Sequence, residues 1–564
     1  MRKPIVITGC GMIAASKISK IKHLDFEGFP FPVGEVDITN EDLKKQLGIP
    51  TNTDVGRTTL LGIYALQQAT NQAKISATTP GKKILISGTT AGEMDLTEKY
   101  WQDIENHADI LLRHDCGSCT ENIAQHFGFI DECTTISTAC SSGANAILEG
   151  AELLEAGMAD IVFAGGAEAL TIFHLSGFAS LMILDRDVCR PFAADRKGLN
   201  LGEGAAYLAM ETEEHAKARG AKILCYFAGG GNACDAFHQT ASSPNGEGAY
   251  LAMTKALADA NISAADIQYV NAHGTGTVNN DESEMAALHR IFGDNLPKVE
   301  STKSITGHTT SAAGAIEAVI CIKKMQENPD WKYVMDNSFG FGGNDTSIIF
   351  SSPLECGRPR PPKNITASET ACTPTMASKD ACTPTMASKD ACTPTIAARC
   401  EITSEDDIAE IKNYLKPAET RRMGKILKSS LLTSLKALKM SGIEVPDAII
   451  TATSLGCWEN SEKILDDLPA PKPTLFMQST HNTISSNIAI YLKCHGYNIT
   501  YTQVDTALDR AMRKAEILIK SGKANTVLVG LHEESTPKYR ELMLKNGKEI
   551  KPLQSLSIVL KKKQ

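Results

Sequence analysis

No run of about 20 apolar residues occurs in the 564-residue chain, which argues against a membrane-spanning helix. An excess of basic charge is also missing. There are 57 Lys+Arg against 66 Asp+Glu, for a net charge of −9, so the electrostatic footprint of a nucleic-acid binder is absent. A disulfide framework is equally out of place. Sixteen cysteines are scattered along the whole length, whereas such frameworks belong to short secreted chains. No convincing leader peptide opens the chain. Met1-Arg2-Lys3 followed by Pro4-Ile5-Val6-Ile7-Thr8-Gly9 imitates one weakly, but the apolar run ends at Gly9-Cys10-Gly11 and fits a first buried strand with a turn. A reducing, cytoplasmic setting with free thiols is expected. What remains is ordinary globular composition, 42% hydrophobic and 22% charged, with length for three to four domain equivalents of about 150 residues.

Residues 1–352 read as a continuous α/β region. Lys83-Ile84-Leu85-Ile86-Ser87 and Ile161-Val162-Phe163-Ala164 suit buried strands, and amphipathic stretches such as 144–156 lie between them. That alternation predicts a layered sheet with helices on its faces. Residues 353–400 break the rhythm. After Pro353, Pro359, Pro361 and Pro362, the decamer Ala-Cys-Thr-Pro-Thr-Met-Ala-Ser-Lys-Asp fills 371–380, repeats at 381–390 and decays after Thr395. A proline every ten residues and few large apolar side chains cannot build a core, so a flexible linker is expected. Its cysteines, Cys372, Cys382 and Cys392, lack histidine partners and metal-site spacing. Residues 401–564 resume the α/β rhythm with a net charge of +5, against −14 for residues 1–400, a balance compatible with docking of the two parts.

The last region reads as a degenerate partial copy of the first. Asn122-Ile123-Ala124 recurs as Asn487-Ile488-Ala489, an offset of 365. At the same offset Gly157 matches Gly522, Ala159 matches Ala524, Val162 matches Val527, Gly165 matches Gly530 and Glu168 matches Glu533; Gly92 matches Gly456 one residue out of step. The copy ends near the equivalent of residue 210, after Leu556-Ser557-Ile558-Val559-Leu560.

Four segments of the first region carry candidate chemistry. In Thr134-Thr135-Ile136-Ser137-Thr138-Ala139-Cys140-Ser141-Ser142-Gly143-Ala144, a β-branched run leads into a cysteine and then a helix. A strand–turn–helix elbow exposes such a sulfur, and the helix N-terminus favours its thiolate. The small neighbours leave room for a substrate. A buried structural cysteine is the alternative for this segment alone. Asn271-Ala272-His273-Gly274-Thr275-Gly276-Thr277, followed by Asp281 and Glu284, is the second segment. The third is Ser301-Thr302-Lys303-Ser304-Ile305-Thr306-Gly307-His308, followed by Glu317. Two histidine loops and a thiol elbow suggest one site assembled from three segments. In the fourth, Asn337-Ser338-Phe339-Gly340-Phe341-Gly342-Gly343-Asn344, a backbone N–H can serve an oxyanion hole. Cys116-Gly117-Ser118-Cys119 has no second pair at zinc spacing, and His532-Glu533-Glu534 lacks the second histidine of a metalloprotease, so neither is expected to bind metal.

These four segments, in this order, resemble the β-ketoacyl synthases of the elongating Cys-His-His type. The resemblance spans nearly all of residues 1–352, including Arg190-Pro191-Phe192 and Asp195-Arg196-Lys197-Gly198 through Gly202-Glu203-Gly204. It implies an α/β fold of thiolase-like, layered αβαβα architecture, followed here by a partial second copy of its N-terminal lobe. It implies an acyltransferase: Cys140 takes an acyl chain from an acyl carrier protein, and malonyl-carrier thioester then enters. His273 and His308 assist decarboxylation and stabilise the enolate, and the carbanion attacks acyl-Cys140. Lys303 and Glu317 match positions that support the histidines. The amides of Cys140 and Phe341 would hold the oxyanion, and Phe341 would gate acyl access. No metal and no resident cofactor are implied; phosphopantetheine arrives on the carrier protein.

The second region offers no nucleophile. At offset 365 the position of Cys140 becomes Asp505, and no cysteine follows Cys494. It resembles the inactive partners called chain-length factors, reduced to one lobe. The expected organisation is a ketosynthase domain at 1–352, a linker at 353–400 and a ketosynthase-lobe-like domain at 401–564. These would form an intramolecular pseudo-heterodimer, or the chain a homodimer. Fatty acid, polyketide or aryl polyene-type synthesis is expected, with housekeeping elongation and a non-catalytic scaffold as alternatives.

Overall fold

The computed structural model of the chain describes residues 3–353 and 394–563. Residues 354–393, which hold the decamers and Cys372, Cys382 and Cys392, lie outside the described residues. No helix among the described residues is long and apolar enough to cross a membrane.

Among the described residues, fifteen strands form one hydrogen-bonded sheet. In chain order they are β1 (Ile5–Ala14), β2 (Lys83–Gly88), β3 (Glu132–Ile136), β4 (Ile161–Glu168), β5 (Gly204–Thr212), β6 (Cys225–Cys234), β7 (Tyr269–Asn271), β8 (Lys298–Glu300), β9 (Tyr333–Gly340), β10 (Asn344–Ser351), β11 (Pro394–Ile402), β12 (Ala448–Ala452), β13 (Tyr497–Tyr501), β14 (Thr526–Glu534) and β15 (Leu553–Lys562). Their order across the sheet is β11-β15-β14-β12-β13-β3-β2-β4-β5-β1-β6-β10-β9-β7-β8. The order resolves into three units of five strands, each arranged 3-2-4-5-1. In every unit the second strand runs parallel to the third and fourth, and the fifth runs antiparallel to the fourth and first. The units meet first-strand to first-strand at β1–β6 and third-strand to third-strand at β3–β13.

Burial explains the apolar runs seen in the sequence. Lys83–Gly88 and Ile161–Glu168 are buried at every position, as strands covered on both faces must be. The helices Ser142–Glu155 and Ala313–Glu327 pack on each other between the strands of the first two units, sharing one apolar core with Ile84, Val162, Leu208 and Val334. Arg57–Ala73, Glu247–Ala260 and Lys425–Ser441 cover the outer faces. The result is the alternation of helix and sheet layers expected of a thiolase-like fold.

The third unit repeats the first in detail. β3 and β13, β4 and β14, and the helices Ser142–Glu155 and Ala507–Lys520 all start 365 residues apart. Glu168 accepts hydrogen bonds from Thr89 and Thr90, and Glu533 accepts them from Thr453 and Ser454 at the matching turn. Across β3–β13, Ser137 N–H donates to the Thr500 carbonyl (3.0 Å) and Thr502 N–H to that of Thr135 (3.1 Å), flanking the pair Ile136–Tyr501.

Two details depart from the sequence reading. β11 begins at Pro394, inside the segment read as linker to residue 400; Thr395, Ile396 and Ile402 supply strand-forming side chains once the decamer decays. The copied elbow also keeps its length but turns one residue later. The turn residue with positive φ is Ala139 in the first unit and Asp505 in the third. Cys140 separates Ala139 from the helix cap Ser141, whereas Asp505 adjoins its cap Thr506 directly. Asp505 therefore stands at the position of Cys140, 365 residues on, but in the positive-φ conformation that Ala139 takes in the first unit.

Candidate active site

Cys140 sits where β3 turns into the helix Ser142–Glu155. Ala139 takes φ +51, and the turn is held by Ser141 N–H to the Thr138 carbonyl (3.3 Å) and by Ser142 Oγ, which accepts from Thr138 N–H (2.9 Å) and donates to the Ala139 carbonyl (2.6 Å). Gly143 is small for a reason the sequence did not reveal. A side chain there would press on Ala315 of the neighbouring central helix and on the Ser311 carbonyl just before it, so this glycine lets the two helices approach.

His308 points Nε2 at Cys140 Sγ from 3.0 Å. Its backbone is pinned on both sides: its N–H donates to the Asn200 carbonyl (2.7 Å), and its carbonyl accepts from Gly202 N–H (3.0 Å). His273 lies edge-on to His308, with ring centroids 5.2 Å apart. Glu284 holds the His273 turn by accepting from the N–H groups of His273 (2.9 Å) and Gly274 (2.8 Å). Asp281 ties the same turn by accepting from Gly276 N–H (3.2 Å) and Phe192 N–H (2.8 Å). Sγ and one nitrogen from each ring lie within 4.8 Å of one another, so a single small group can touch all three. Lys303 Nζ donates to Glu317 Oε1 (2.5 Å) and approaches His273 Nδ1 (3.4 Å). That approach leaves the His273 proton on Nε2.

Electrostatics corrects one expectation. Burial pushes the Cys140 thiol up to about 11, and the Lys303 charge with the N–H groups of Phe341 and Cys140 pulls it back only in part. At neutral pH the residue is a thiol, not the thiolate the helix terminus suggested, because desolvation outweighs the dipole. Burial, reinforced by Lys303, holds His273 and His308 well below the usual imidazole range, so both rings are neutral. Glu284 is pushed up to about 7 by burial.

Phe341 follows β9 with its N–H toward the sulfur. Its ring stacks on Phe178 (5.8 Å), which packs edge-on against Phe476 of the third unit (5.3 Å). Cys140 opens on two cavities. One is lined by His273, Thr275, Thr277, His308 and Phe339. The other runs between the halves and is lined by Met94, Phe173 and Phe178 with Leu455, Phe476 and His481.

Every residue singled out in the sequence for chemistry therefore converges here: Cys140, His273, Lys303, His308, Glu317 and Phe341. Left unread were Phe178 and the third-unit residues Phe476 and His481, whose place depends on a contact between halves. Cys116 and Cys119 are buried free thiols, both pushed well up by burial. His532 bonds Ser555 Oγ (2.8 Å).

The description "Beta-ketoacyl synthase, N-terminal domain" matches residues 46–216 and again 362–542, and "Beta-ketoacyl synthase, C-terminal domain" matches 224–329. The chain is similar to the 3-oxoacyl-[acyl-carrier-protein] synthase 2 of Rhizobium meliloti (strain 1021), 39% identical over 251 residues, which are 38% of this chain and 59% of that one. Among solved structures it resembles the ishigamide ketosynthase/chain length factor, at 29% identity and TM-score 0.57, over 62% of this chain and 100% of that one. The PfaC Keto synthase-Chain length factor shares the fold over 99% of this chain and 78% of its own, at TM-score 0.75 and 16% identity.

Proposed function

Because the chain belongs to the β-ketoacyl synthase family, we propose that it is an acyltransferase catalysing decarboxylative Claisen condensation between an acyl group on Cys140 and malonyl-acyl carrier protein. The observation that carries this reading is the 3.0 Å contact of Cys140 Sγ with a neutral His308, with His273 beside it.

The thiol attacks the carrier-bound thioester, and its proton passes through His308 Nε2 to the departing phosphopantetheine thiolate. Malonyl thioester then enters. As its carboxylate leaves as CO2, the bond electrons form an enolate whose oxygen accepts from His273 Nε2–H beside His308. The enolate carbon attacks the acyl-Cys140 carbonyl, and the tetrahedral oxyanion is held by the N–H groups of Phe341 and Cys140. Collapse expels the Cys140 sulfur and leaves a 3-oxoacyl thioester on the carrier. Neutral imidazoles suit this work, since a donor and not a cation is wanted at an oxygen that gains charge only in transit. Lys303, tied to Glu317, sets the His273 tautomer. The reaction needs no metal and no resident cofactor.

The third unit, with no nucleophile, is a chain-length-factor-like lobe, and it acts with residues 1–352 as an intramolecular pseudo-heterodimer tethered by the segment that precedes β11. The β3–β13 junction supports this, as does the cavity lined from both halves. A copy of the catalytic lobe without its cysteine favours polyketide or polyene-type chains over housekeeping elongation. The twelve free cysteines among the described residues suit a reducing cytoplasm.

Reconstitution with an acyl carrier protein, its malonyl form and acyl forms of graded length tests the reaction. The expected result is 3-oxoacyl carrier with equimolar CO2, absent with Cys140→Ala. Unreduced or polyene substrates extended in preference to saturated ones support the pathway; the reverse preference indicates housekeeping elongation. No condensation with any acyl carrier would overturn the reading.

A further inference from the structure

The loop that carries Phe341 belongs to the second unit, yet one of its carbonyls is held from the third. Asn482 Nδ2 donates to the Phe341 carbonyl (2.8 Å) and to Asn344 Oδ1 (2.7 Å). The residue is fully buried. A carbonyl accepts only, so the nitrogen of Asn482 must face it, and the amide orientation is fixed by chemistry.

The placement is unusual for the residue's position. Asn482 is the N-cap of the helix Thr483–Leu492, where an Asn side chain ordinarily accepts a hydrogen bond from the first turn. Here it makes no such bond, and its Oδ1 has no partner. The corresponding helix of the first unit, Cys116–Phe127, is capped in the ordinary way, by Asp115 accepting from Ser118 N–H. The Asn482 side chain has left its own helix to hold the loop.

The contact is continued on both sides. Ser486, one turn further along the same helix, donates to Asn344 Oδ1 (3.3 Å) and lies against Gly342 so closely that a side chain there would collide with it. Asn344 Nδ2 donates to Asn498 Oδ1 (2.9 Å), and Asn498 N–H donates to Asn232 Oδ1 (2.8 Å). Asn232 Nδ2 donates to Asn145 Oδ1 (2.9 Å), and Asn145 Nδ2 to Thr138 Oγ1 (2.9 Å), two residues before Cys140. A buried line of amides thus runs between the halves from the Phe341 loop to the elbow.

We propose that Asn482 is a positioning residue for the reaction: from the half without a nucleophile, it sets the Phe341 peptide so that the Phe341 N–H and ring stand correctly at Cys140. The inference rests on the functional reading above. It gives the third unit a part in the chemistry itself, beyond lining the acyl cavity.

The test uses the full chain and follows acyl transfer from an acyl carrier thioester to Cys140 by intact mass, with thermal unfolding alongside. Asn482→Leu removes both donors. Thr433→Val is the control: it deletes buried hydrogen bonds of the third unit to Ser555 and Ser557, away from the loop. Acylation about tenfold slower or more in Asn482→Leu is expected, with Thr433→Val at the wild-type rate and a similar loss of melting temperature. Asn482→Asp supplies a signature that a structural role would not give. The buried carboxyl donates only while protonated, so its rate relative to wild type falls as pH rises through its pKa. Asn482→Leu within about twofold of wild type, or a flat relative profile for Asn482→Asp, overturns the inference. Should Asn482→Leu fail to fold, the Asn482→Asp profile decides alone. A wild type that accepts no acyl group sinks the functional reading first; a normal wild type with unaffected variants sinks this inference only.

Discussion

At the residue scale, Cys140 shows what a sequence withholds. Its motif and its two histidines were legible, because each stands among small residues whose composition marks a turn, whereas Lys303 and Glu317 came only with the family resemblance. The protonation state was not legible. The helix N-terminus argues for a thiolate, but burial argues against it, and burial belongs to the fold. Reaction of Cys140 with iodoacetamide, followed by peptide mass so that other thiols do not interfere, should rise about tenfold per pH unit from pH 7 to 9.5 without a plateau. The sign follows from the raised pKa: below about 11 only the minor thiolate reacts, and it grows with each unit. A plateau below pH 8 would mean that Lys303 and the amides outweigh desolvation. The neutral histidines carry the matching expectation that the acylation rate shows no step near pH 6.5.

At the scale of elements, the strands and the elbow were readable from apolar runs, and the copied unit from matches at one offset. The ends of elements were less so. β11 starts among residues that continue a low-complexity repeat, and the shifted turn at Asp505 changes no residue type that a pattern would flag. The glycine loop after β9 was identified by composition, but its constraints come from opposite sides. Gly342 stands at φ +85 with Ser486 of the third unit against its Cα. Gly342→Ala should cost about 1–3 kcal/mol in urea unfolding, from strain and the displaced contact. It should also slow condensation about tenfold or more as the Phe341 N–H shifts. A variant with wild-type stability and rate would show that the loop carries no such constraint.

At the scale of the whole molecule, three copies of one five-strand unit lie edge to edge, and the first two carry Cys140, His273 and His308. The third has adapted to its place. In the helix Ser142–Glu155 every residue but the last is buried, whereas its counterpart Ala507–Lys520 carries Asp509, Arg510, Arg513, Glu516 and Lys520, which a partly solvated helix tolerates. One of its charges is nevertheless fully buried. Lys514 pairs with Glu149 (2.5 Å) and Glu152 of the first unit, joining the halves. The charge difference between the two regions hinted at attraction but could not place this pair. Lys514→Ala strips Glu149 of its buried cation and leaves Glu152 to Lys523 alone, and should cost about 3–5 kcal/mol in urea unfolding. Loss under about 1 kcal/mol would mean that the pair is a bystander. Burial opposes the charge of Glu152, yet Lys514 and Lys523 hold its carboxyl down to about 2. The pair's stabilisation is therefore present above the ordinary glutamate range and lost as pH falls toward that value.

The central claim is one nucleophile in a chain that carries two lobes of the same ancestry. Intact mass spectrometry after incubation with an acyl carrier thioester tests it most directly. The account predicts a single acyl group per chain, mapped to Cys140 and abolished by Cys140→Ala while the variant keeps its fold. An adduct that survives in Cys140→Ala, a second acyl group on the third unit, or no adduct at any chain length would contradict it.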